Sequence, residues 1–317
     1  MRDEPEPTSA PGNHPRDLIA LTKPRITLMV LLTSAAGYFL ASGGQPDPAA
    51  MLIAMIGIGL VAGGTSGLNQ VIERDVDARM QRTRLRPIPA GRVTVRVATG
   101  FTALLAIAGV VYLELFVNRL TAFLAVASIV SYVFVYTPLK QRSSLSTLVG
   151  AIPGALPIMG GWTAAHGDLG PGAWALFGLL FFWQLPHFLA LAWLFRDDYR
   201  RGGLKMLGVQ DPEARQPRAQ AVLYAAALLP ASLLPVAIGL SNGFYGVAAL
   251  LMGAAYLVAA VRFFGHADIR SARRLFRTSL LYLPVVLLAL SLDRGTYPGA
   301  PVPTDAVTAE ATAPAPS

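Results

Sequence analysis

The sequence predicts an all-α integral membrane protein with nine transmembrane helices, and three observations support this. Of the 317 residues, 54% are hydrophobic and only 14% are charged, whereas a soluble domain carries about 25% charged residues. The apolar residues form nine runs that are too long for strands and show no alternation. Because a bilayer offers no hydrogen-bond partner, such runs must be helical. The predicted spans are 26–42, 51–72, 93–115, 120–137, 147–165, 172–195, 219–240, 244–264 and 275–292.

Polar, proline-containing ends flank these spans. Residues 1–16 and 294–317 are poor in large apolar side chains, which predicts two disordered tails. The stretch between them, 17–293, is predicted to be one transmembrane domain. Cysteine is absent, so disulfides and thiolate metal sites are excluded.

The basic residues predict the orientation of the spans. With the N-terminus in the cytoplasm and the C-terminus outside, 24 of the 26 Lys and Arg lie on the cytoplasmic side, and only Arg119 and Arg294 do not. This asymmetry accounts for most of the net charge of +8, so no nucleic-acid partner is needed to explain it. The pattern favours a bacterial inner membrane. It also brings the C-terminal ends of the second, fourth and sixth spans together at the cytoplasmic face.

The second predicted span ends with three oxygen-bearing side chains on one helical face. Asn69, Glu73 and Asp77 follow at intervals of four residues and drift by only about 80° in all, whereas Asp75 points to the opposite side. Such ligands suit Mg²⁺, which combines carboxylate and phosphate oxygens. The alternative is a charged loop whose acids pair with neighbouring arginines, but the depth of Asn69 and Glu73 in the membrane favours a site. The arginines that follow are Arg79, Arg82, Arg84 and Arg86.

The sixth predicted span carries a second polar group. Gln184 and His187 lie one turn apart, and Asp197 and Asp198 follow the span. His187 and Asp198 are separated by about three turns, which predicts that they share a face. A histidine in an apolar helix is a satisfied core residue, a heme ligand or an acid–base group, and the residues alone leave these open. The acidic ends of two parallel helices predict a metal-assisted clamp for a diphosphate.

The fourth predicted span ends at Tyr136-Thr-Pro138, and Lys140 follows on the same side as the acids. Lys140 is a candidate contact for a phosphate group. The alternative is that Lys140 and Arg142 only mark the cytoplasmic side, as such loops generally do.

Taken together, these segments resemble the UbiA-type intramembrane prenyltransferases, and within them the branch that modifies heme. The resemblance covers about residues 21–206. It rests on Leu21-Thr-Lys-Pro-Arg25, Asn69-x3-Glu73-x3-Asp77, Arg82-Thr83-x2-Arg86-Pro87, Tyr136-Thr-Pro-Leu-Lys140, Gly150-Ala-Ile-Pro-Gly-Ala-Leu-Pro157, Gly161-Trp162, Trp183-Gln-x-Pro-His-Phe188 and Asp197-Asp-Tyr-x2-Gly-Gly203.

The resemblance implies a fold and a reaction. Nine helices would surround a central cavity, and the enzyme would join the farnesyl group of farnesyl diphosphate to a vinyl group of heme B. Water would add and diphosphate would leave, which gives heme O. The lipid bilayer is the implied setting, and heme A synthase is a candidate partner.

The resemblance also implies roles for individual residues. Mg²⁺ is predicted to be held by Asn69, Glu73, Asp77 and Asp198, and Lys140 is the further catalytic residue. His187 is predicted to serve the heme, as an axial ligand or as a guide for water. Predicted substrate contacts are Arg82, Arg86, Tyr136, Gln184, His187, Asp197 and Tyr199.

Two positions depart from the general family pattern, which has Asp where Glu73 and His187 stand. Both departures resemble the heme-modifying branch. Two alternatives stay open: a related prenyltransferase that acts on another aromatic or chlorin acceptor, and a secondary transporter with intramembrane acids as ion sites. Acids clustered at one face argue against the transporter.

Overall fold

The computed structural model describes residues 12–209 and 215–297, and within these ranges every long segment is a helix. Nine of the described helical segments are long and apolar enough to cross a membrane, which confirms the predicted fold class. They are α2 (Pro24–Ala41), α3 (Pro48–Ile72), α5 (Val95–Phe116), α6 with its continuation α7 (Arg119–Leu139), α8 (Ser146–His166), α9 (Pro171–Leu194), α11 (Arg215–Ala237), α12 (Gly243–His266) and α13 (Ile269–Leu292).

Three short helices lie beside the spans: α1 (Pro15–Leu21), α4 (Arg74–Arg79) and α10 (Arg196–Gly202). α1 begins just inside the predicted N-terminal tail, because Pro15 suits a first helical turn and the His14 side chain caps it. The remainder of that tail, 1–11, and residues 298–317 lie outside the described residues.

The second and sixth spans each end in a break followed by a short helix. α3 ends at Ile72 and α9 at Leu194, and the next residues, Glu73 and Phe195, leave the helical conformation. Each short helix then carries two acidic residues in its first turn. Carboxylates at this position interact favourably with the helix dipole. The expectation of continuous helices through Asp77 and Asp198 was therefore wrong, and each acid pair sits on a separately oriented element.

The fourth span is interrupted by a π-helical segment. α6 runs over Arg119–Ile129, the π-helical residues are Val130–Tyr136, and α7 covers Thr137–Leu139. The Thr137 hydroxyl donates to the Tyr132 carbonyl at 2.8 Å. π-Helical turns inside α-helices are frequent at functional sites.

The first five spans pack closely through small residues. A Cβ on Gly161 of α8 would lie 1.8 Å from the Ser34 carbonyl oxygen of α2, and one on Gly64 of α3 would lie 2.7 Å from the Thr102 carbonyl oxygen of α5. Small residues let membrane helices approach to backbone contact. We call α2, α3, α5, α6–α7 and α8 the front half.

The last four spans, α9 and α11–α13, form the back half, which is filled by large rings. Tyr245, Tyr256, Tyr282 and Phe263 are fully buried there. The Tyr245 hydroxyl donates to the Ser232 carbonyl at 2.7 Å, and the Tyr256 hydroxyl donates to the Trp183 carbonyl at 3.0 Å. These bonds join α12 to α11 and α9.

A cavity of about 310 Å³ opens inside the front half. Its walls come from α2, α3, α6 with its π-helical segment, and α8, together with Leu113 of α5 and Phe188 of α9. On α6 the lining extends from Thr121 to Tyr136, about 22 Å at the usual rise per residue. The cavity is therefore a long apolar slot parallel to the helices.

Candidate functional site

The breaks after α3 and α9 lie at one end of the bundle, which we call the site end. Asn69, on the last turn of α3, is buried among three elements. Its side-chain oxygen accepts a hydrogen bond from Lys23 Nζ at 2.9 Å, and its amide nitrogen donates to Thr137 Oγ1 at 3.1 Å. Asn69 thus ties the start of α2 to the end of the fourth span.

Glu73 forms a buried ion pair with Lys140. Lys140 Nζ lies 2.8 Å from Glu73 Oε1 and 4.4 Å from the centroid of the Tyr136 ring. Burial by itself would raise the pKa of Glu73, but the Lys140 ammonium outweighs it and holds that pKa below its usual range. Likewise burial would lower the pKa of Lys140, and the Glu73 carboxylate more than offsets this. The pair is therefore charged.

Asp77 is fully buried on α4, and its two oxygens differ. Oδ2 accepts from Arg86 Nη1 at 2.6 Å. Oδ1 is buried and finds no hydrogen-bond partner among the described residues. Burial raises the pKa of Asp77 more than Arg86 lowers it. A buried carboxylate oxygen that accepts no hydrogen bond is energetically costly. Oδ1 is therefore the oxygen that a metal ion could bind.

Asp198 is also buried, but both of its oxygens are engaged with backbone. Oδ1 accepts from the Gln81 amide at 2.8 Å and Oδ2 from the Arg82 amide at 3.1 Å. Arg201 Nη2 lies 3.3 Å from Oδ1. Asp198 therefore joins α10 to the loop that follows α4.

Three further predicted residues lie in that loop or close to it. The Arg82 guanidinium lies 5.0 Å from the centroid of Phe195 and 5.9 Å from that of Tyr199, within cation–π range. Tyr199 is buried beneath it. Asp197 is exposed and lies 3.3 Å from Arg200, so it faces away from the other acids and the structure does not support its predicted contact with substrate.

Gln184 and His187 lie apart from the acids, on different faces of α9. Gln184 is buried and donates to the Ala151 carbonyl of α8 at 2.8 Å. His187 lies 2.7 Å from the Ser279 hydroxyl of α13 and stacks on Trp183 and Phe276. The prediction that His187 shares a face with Asp198 was wrong, because the chain turns at Phe195. His187 is not part of the apolar slot either; its neighbour Phe188 lines it.

Sequence reasoning missed two site residues. Lys23 bonds Asn69, and the charges of Glu73, Asp77, Arg86 and Lys140 all act on its ammonium. Burial, with the Arg86 charge, lowers the pKa of Lys23 to about 7. Its left-handed backbone, with φ of 48°, directly precedes Pro24. That Lys-Pro pair was the available signal, since proline restricts the residue before it.

Tyr132 is the second missed residue. It lies one turn before Tyr136, their ring centroids are 5.4 Å apart, and both line the slot. The charged cluster therefore sits directly above an apolar slot whose upper wall is aromatic. No periodic pattern in the sequence indicates the π-helical turn that aims both rings inward.

The donors present fit a metal ion that is shared with a phosphate ligand. The described residues contain no group of three or more His, Asp or Glu side chains placed to hold a metal by themselves. Mg²⁺, however, is usually held by one or two carboxylates and completed by substrate phosphates and water. Asp77 Oδ1 supplies the unpartnered oxygen, and Asn69 and Glu73 lie on the preceding turns.

Comparison with known sequences identifies the family. The family model described as UbiA prenyltransferase family matches residues 30–283. A protoheme IX farnesyltransferase of Solibacter usitatus is 44% identical over 291 residues, which cover 88% of this chain and 99% of the relative. One from an Anaeromyxobacter species is 46% identical over 277 residues, 87% of this chain and 93% of the relative.

Solved structures share the fold at low sequence identity. A structure described for digeranylgeranylglyceryl phosphate synthase has a TM-score of 0.75 at 16% identity and covers 88% of this chain and 97% of its own. A UbiA homolog from Archaeoglobus fulgidus, bound to DMAPP and Mg²⁺, has a TM-score of 0.58 at 15% identity and covers 87% and 99%.

Proposed function

The chain belongs to the UbiA prenyltransferase family, and we infer that it transfers the farnesyl group of farnesyl diphosphate to a vinyl group of heme B. Water adds in the same reaction, and the products are heme O and diphosphate. The relatives named protoheme IX farnesyltransferase, which match over most of their own length, support the choice of substrates.

One observation carries the chemistry: a buried cluster of acids and bases stands over a long apolar slot. The cluster offers cations for a diphosphate, and the slot offers a dry, apolar wall for an isoprenoid chain. A site of this shape matches a ligand with an anionic head and a greasy tail. Of the described residues, Tyr132 and Tyr136 connect the two parts.

We propose that Mg²⁺ binds at Asn69, Glu73 and Asp77; both oxygens of Asp198, the fourth ligand that the sequence predicts, already accept hydrogen bonds from backbone amides. The Mg²⁺ in the Archaeoglobus homolog supports metal use in this fold. When bound, the ion would neutralise the diphosphate as it leaves. Asp77 Oδ1 is the best-supported donor atom, because it is buried and lacks a partner among the described residues.

The basic residues serve the same leaving group. Lys23, Lys140 and Arg86 are each held by a site side chain, so these basic groups are already in position before diphosphate binds. Such preorganised charges stabilise negative charge that develops in the transition state. Arg82 makes no ion pair within the described chain and adds a further cation at the loop.

The slot protects the allylic cation that forms when diphosphate leaves. Its lining is mainly apolar, apart from a few hydroxyl side chains such as Thr121 and Ser128, and would exclude bulk water from the reacting carbon. The vinyl carbon of heme is then the available nucleophile. Water enters only after the new carbon–carbon bond forms, adds to the resulting cation and loses a proton.

For His187 we propose a role toward heme, supported by its place on α9. It lies between α9 and α13, with aromatic rings on both sides, whereas Gln184 bonds α8. A His187→Gln variant should weaken heme binding in an absorption titration while its binding of farnesyl diphosphate is unchanged. Unaltered heme binding and turnover would remove this role.

The remaining proposals concern the setting. We place residues 17–293 in a bacterial inner membrane with the site end in the cytoplasm, supported by the basic residues there. Residues 1–16 and 294–317 are proposed to be tails, and heme A synthase is a proposed partner that would consume the product.

The test is a pigment assay in a host without its own heme O synthase. Hemes extracted from cells that express the chain should include a farnesyl-hydroxyethyl heme, identified by chromatography and mass. Purified protein should release diphosphate only with Mg²⁺, and a chelator should stop this reversibly. If well-folded protein forms no modified heme, diphosphate release with a panel of aromatic acceptors would identify a different prenyltransferase.

A further inference from the structure

The loop Met80–Arg86, which we call the arginine loop, carries two of the predicted diphosphate contacts, Arg82 and Arg86. It begins where α4 has ended: the Met80 amide still bonds the Asp77 carbonyl, but the next two amides have no helical carbonyl to bond. The Gln81 and Arg82 amides donate to Asp198 instead, at 2.8 and 3.1 Å, and to no other acceptor in the described chain. One carboxylate thus satisfies two consecutive backbone donors.

Other contacts bring the loop to the same short helix. The Met80 side chain packs on Gly202 of α10, where an added Cβ would lie 3.0 Å from Met80 Cγ. The Arg82 guanidinium covers the rings of Phe195 and Tyr199. The start of the loop is therefore docked on α10 by packing, by ring contact and by the Asp198 carboxylate.

The end of the loop is fixed by Asp77. Arg86 binds Asp77 Oδ2 at 2.6 Å, and the Thr83 hydroxyl donates to the Asp77 carbonyl at 2.9 Å. Asp198 and Asp77 therefore hold the two ends of one loop. Moving Asp198 toward a metal ion would remove the acceptor of both amides and so release the start of the loop.

We propose that Asp198 is a positioning residue that latches the arginine loop onto α10 and so holds Arg82 and Arg86 for the diphosphate. This proposal rests on the proposed function for its effect on catalysis. It gives Asp198 a different task from Asp77, whose unpartnered oxygen suits a metal. Charge-assisted bonds to backbone amides are strong enough to fix such a loop.

The experiment uses the absence of cysteine from the chain. A single Leu85→Cys substitution, at a side chain 72% exposed near the end of the loop, takes a nitroxide label in the full chain reconstituted in nanodiscs. Spectra are recorded without Mg²⁺ or substrate, with Asp198 intact, in Asp198→Ala and in Asp198→Asn. Asp198→Asn keeps one acceptor oxygen and serves if the alanine variant does not fold.

We expect the label to become more mobile in both variants. The KM for farnesyl diphosphate should rise about tenfold, equivalent to about 1.4 kcal/mol, while the Mg²⁺ concentration for half-maximal activity stays within about twofold. The matched control is Asp75→Asn, an exposed carboxylate on α4 that touches only Arg74 and should leave the spectrum unchanged.

An unchanged spectrum in the Asp198 variants would overturn the latch. A Mg²⁺ requirement that rises tenfold or more, with activity restored by added Mg²⁺, would overturn it in favour of a metal ligand. The label reports on the loop whether or not the chain turns over heme. Failure of the proposed function would instead show as inactivity of the intact chain.

Discussion

The two halves of the molecule contain helices of similar length and apolarity but differ in what lies between them. The front half encloses a cavity of about 310 Å³, lined by small and aliphatic residues and by the two tyrosines of the π-helical segment. The back half is filled by buried rings such as Tyr245, Tyr256 and Tyr282. One half therefore leaves room for a ligand and the other provides a rigid wall.

α9 belongs to the back half but also contacts the slot of the front half, so it joins the two. Gln184 and Phe188 face α8 and the slot, whereas Trp183 and His187 face α13. The same helix then leads to α10 and the latch on the arginine loop. The site therefore depends on specific side chains in the front half and on filled volume in the back half.

The largest effect is expected at Asp77. Asp77→Asn keeps the size of the side chain but removes its charge, so it weakens cation binding and leaves Arg86 without its partner. Turnover should fall by about a hundredfold or more, with the protein still folded. The matched variant Asp75→Asn removes an exposed carboxylate two residues away and should retain turnover within about twofold. Equal losses in both variants would contradict a metal role specific to Asp77.

The Glu73–Lys140 pair should come next. Lys140→Met removes a cation from the diphosphate and leaves a buried carboxylate unpaired, so turnover should fall by about tenfold to a hundredfold. Breaking a buried pair typically costs about 3–5 kcal/mol, and removing both charges costs less. Thermal unfolding of Lys140→Met, Glu73→Gln and the double variant measures this. Stability losses that simply add would show that the two charges do not stabilise each other.

These two predictions concern the part of the site that the sequence revealed. Asn69, Glu73 and Asp77 were found because a helical period and membrane depth together constrain them. What the period could not show is that α3 ends at Ile72 and α9 at Leu194, since one polar residue in a continuing pattern gives no sign of a break. That break is why Asp198 turns to backbone amides and His187 turns away.

The same reasoning explains the fold. Nine spans followed from run length alone, because lipid permits few alternatives to a helix. The slot could not be predicted from run length, because its shape depends on which residues from several helices meet. Lys23 was missed since it precedes the first span, and Tyr132 was missed since an apolar run does not indicate a π-helical turn.

The slot itself is tested by filling it. Ala125→Phe places a ring in the slot about 16 Å along the helix from Tyr136, where the far end of a farnesyl chain would lie. The kcat/KM with farnesyl diphosphate should fall about tenfold, and that with dimethylallyl diphosphate much less. Val126→Phe adds the same ring on the outward side of α6 and is the control. An equal fall for both donors would show that the chain does not occupy this slot.

A smaller effect is expected where α8 makes room for Tyr136. A Cβ at Gly150 would lie 2.4 Å from Tyr136 Cε2, so Gly150→Ala must displace the ring that covers Lys140. Turnover should fall by about threefold to tenfold, equivalent to about 1 kcal/mol. Gly100→Ala on α5, where no atom lies within 4 Å of the added Cβ, should have no such effect. Full activity of the Gly150 variant would show that the ring's position is not critical.

The smallest effect is expected in the back half. Tyr256→Phe keeps the ring that fills the core and removes the hydroxyl that donates to the Trp183 carbonyl. Such bonds between membrane helices average about 0.6 kcal/mol, so thermal stability should drop slightly and turnover should stay within about twofold. Tyr256→Ala should cost far more stability, because it empties the volume that makes this half rigid. If the phenylalanine variant lost most of its turnover while remaining folded, the back half would contribute through a specific contact. The wall behind α9 would then belong to the site, and the contrast between the halves would fail.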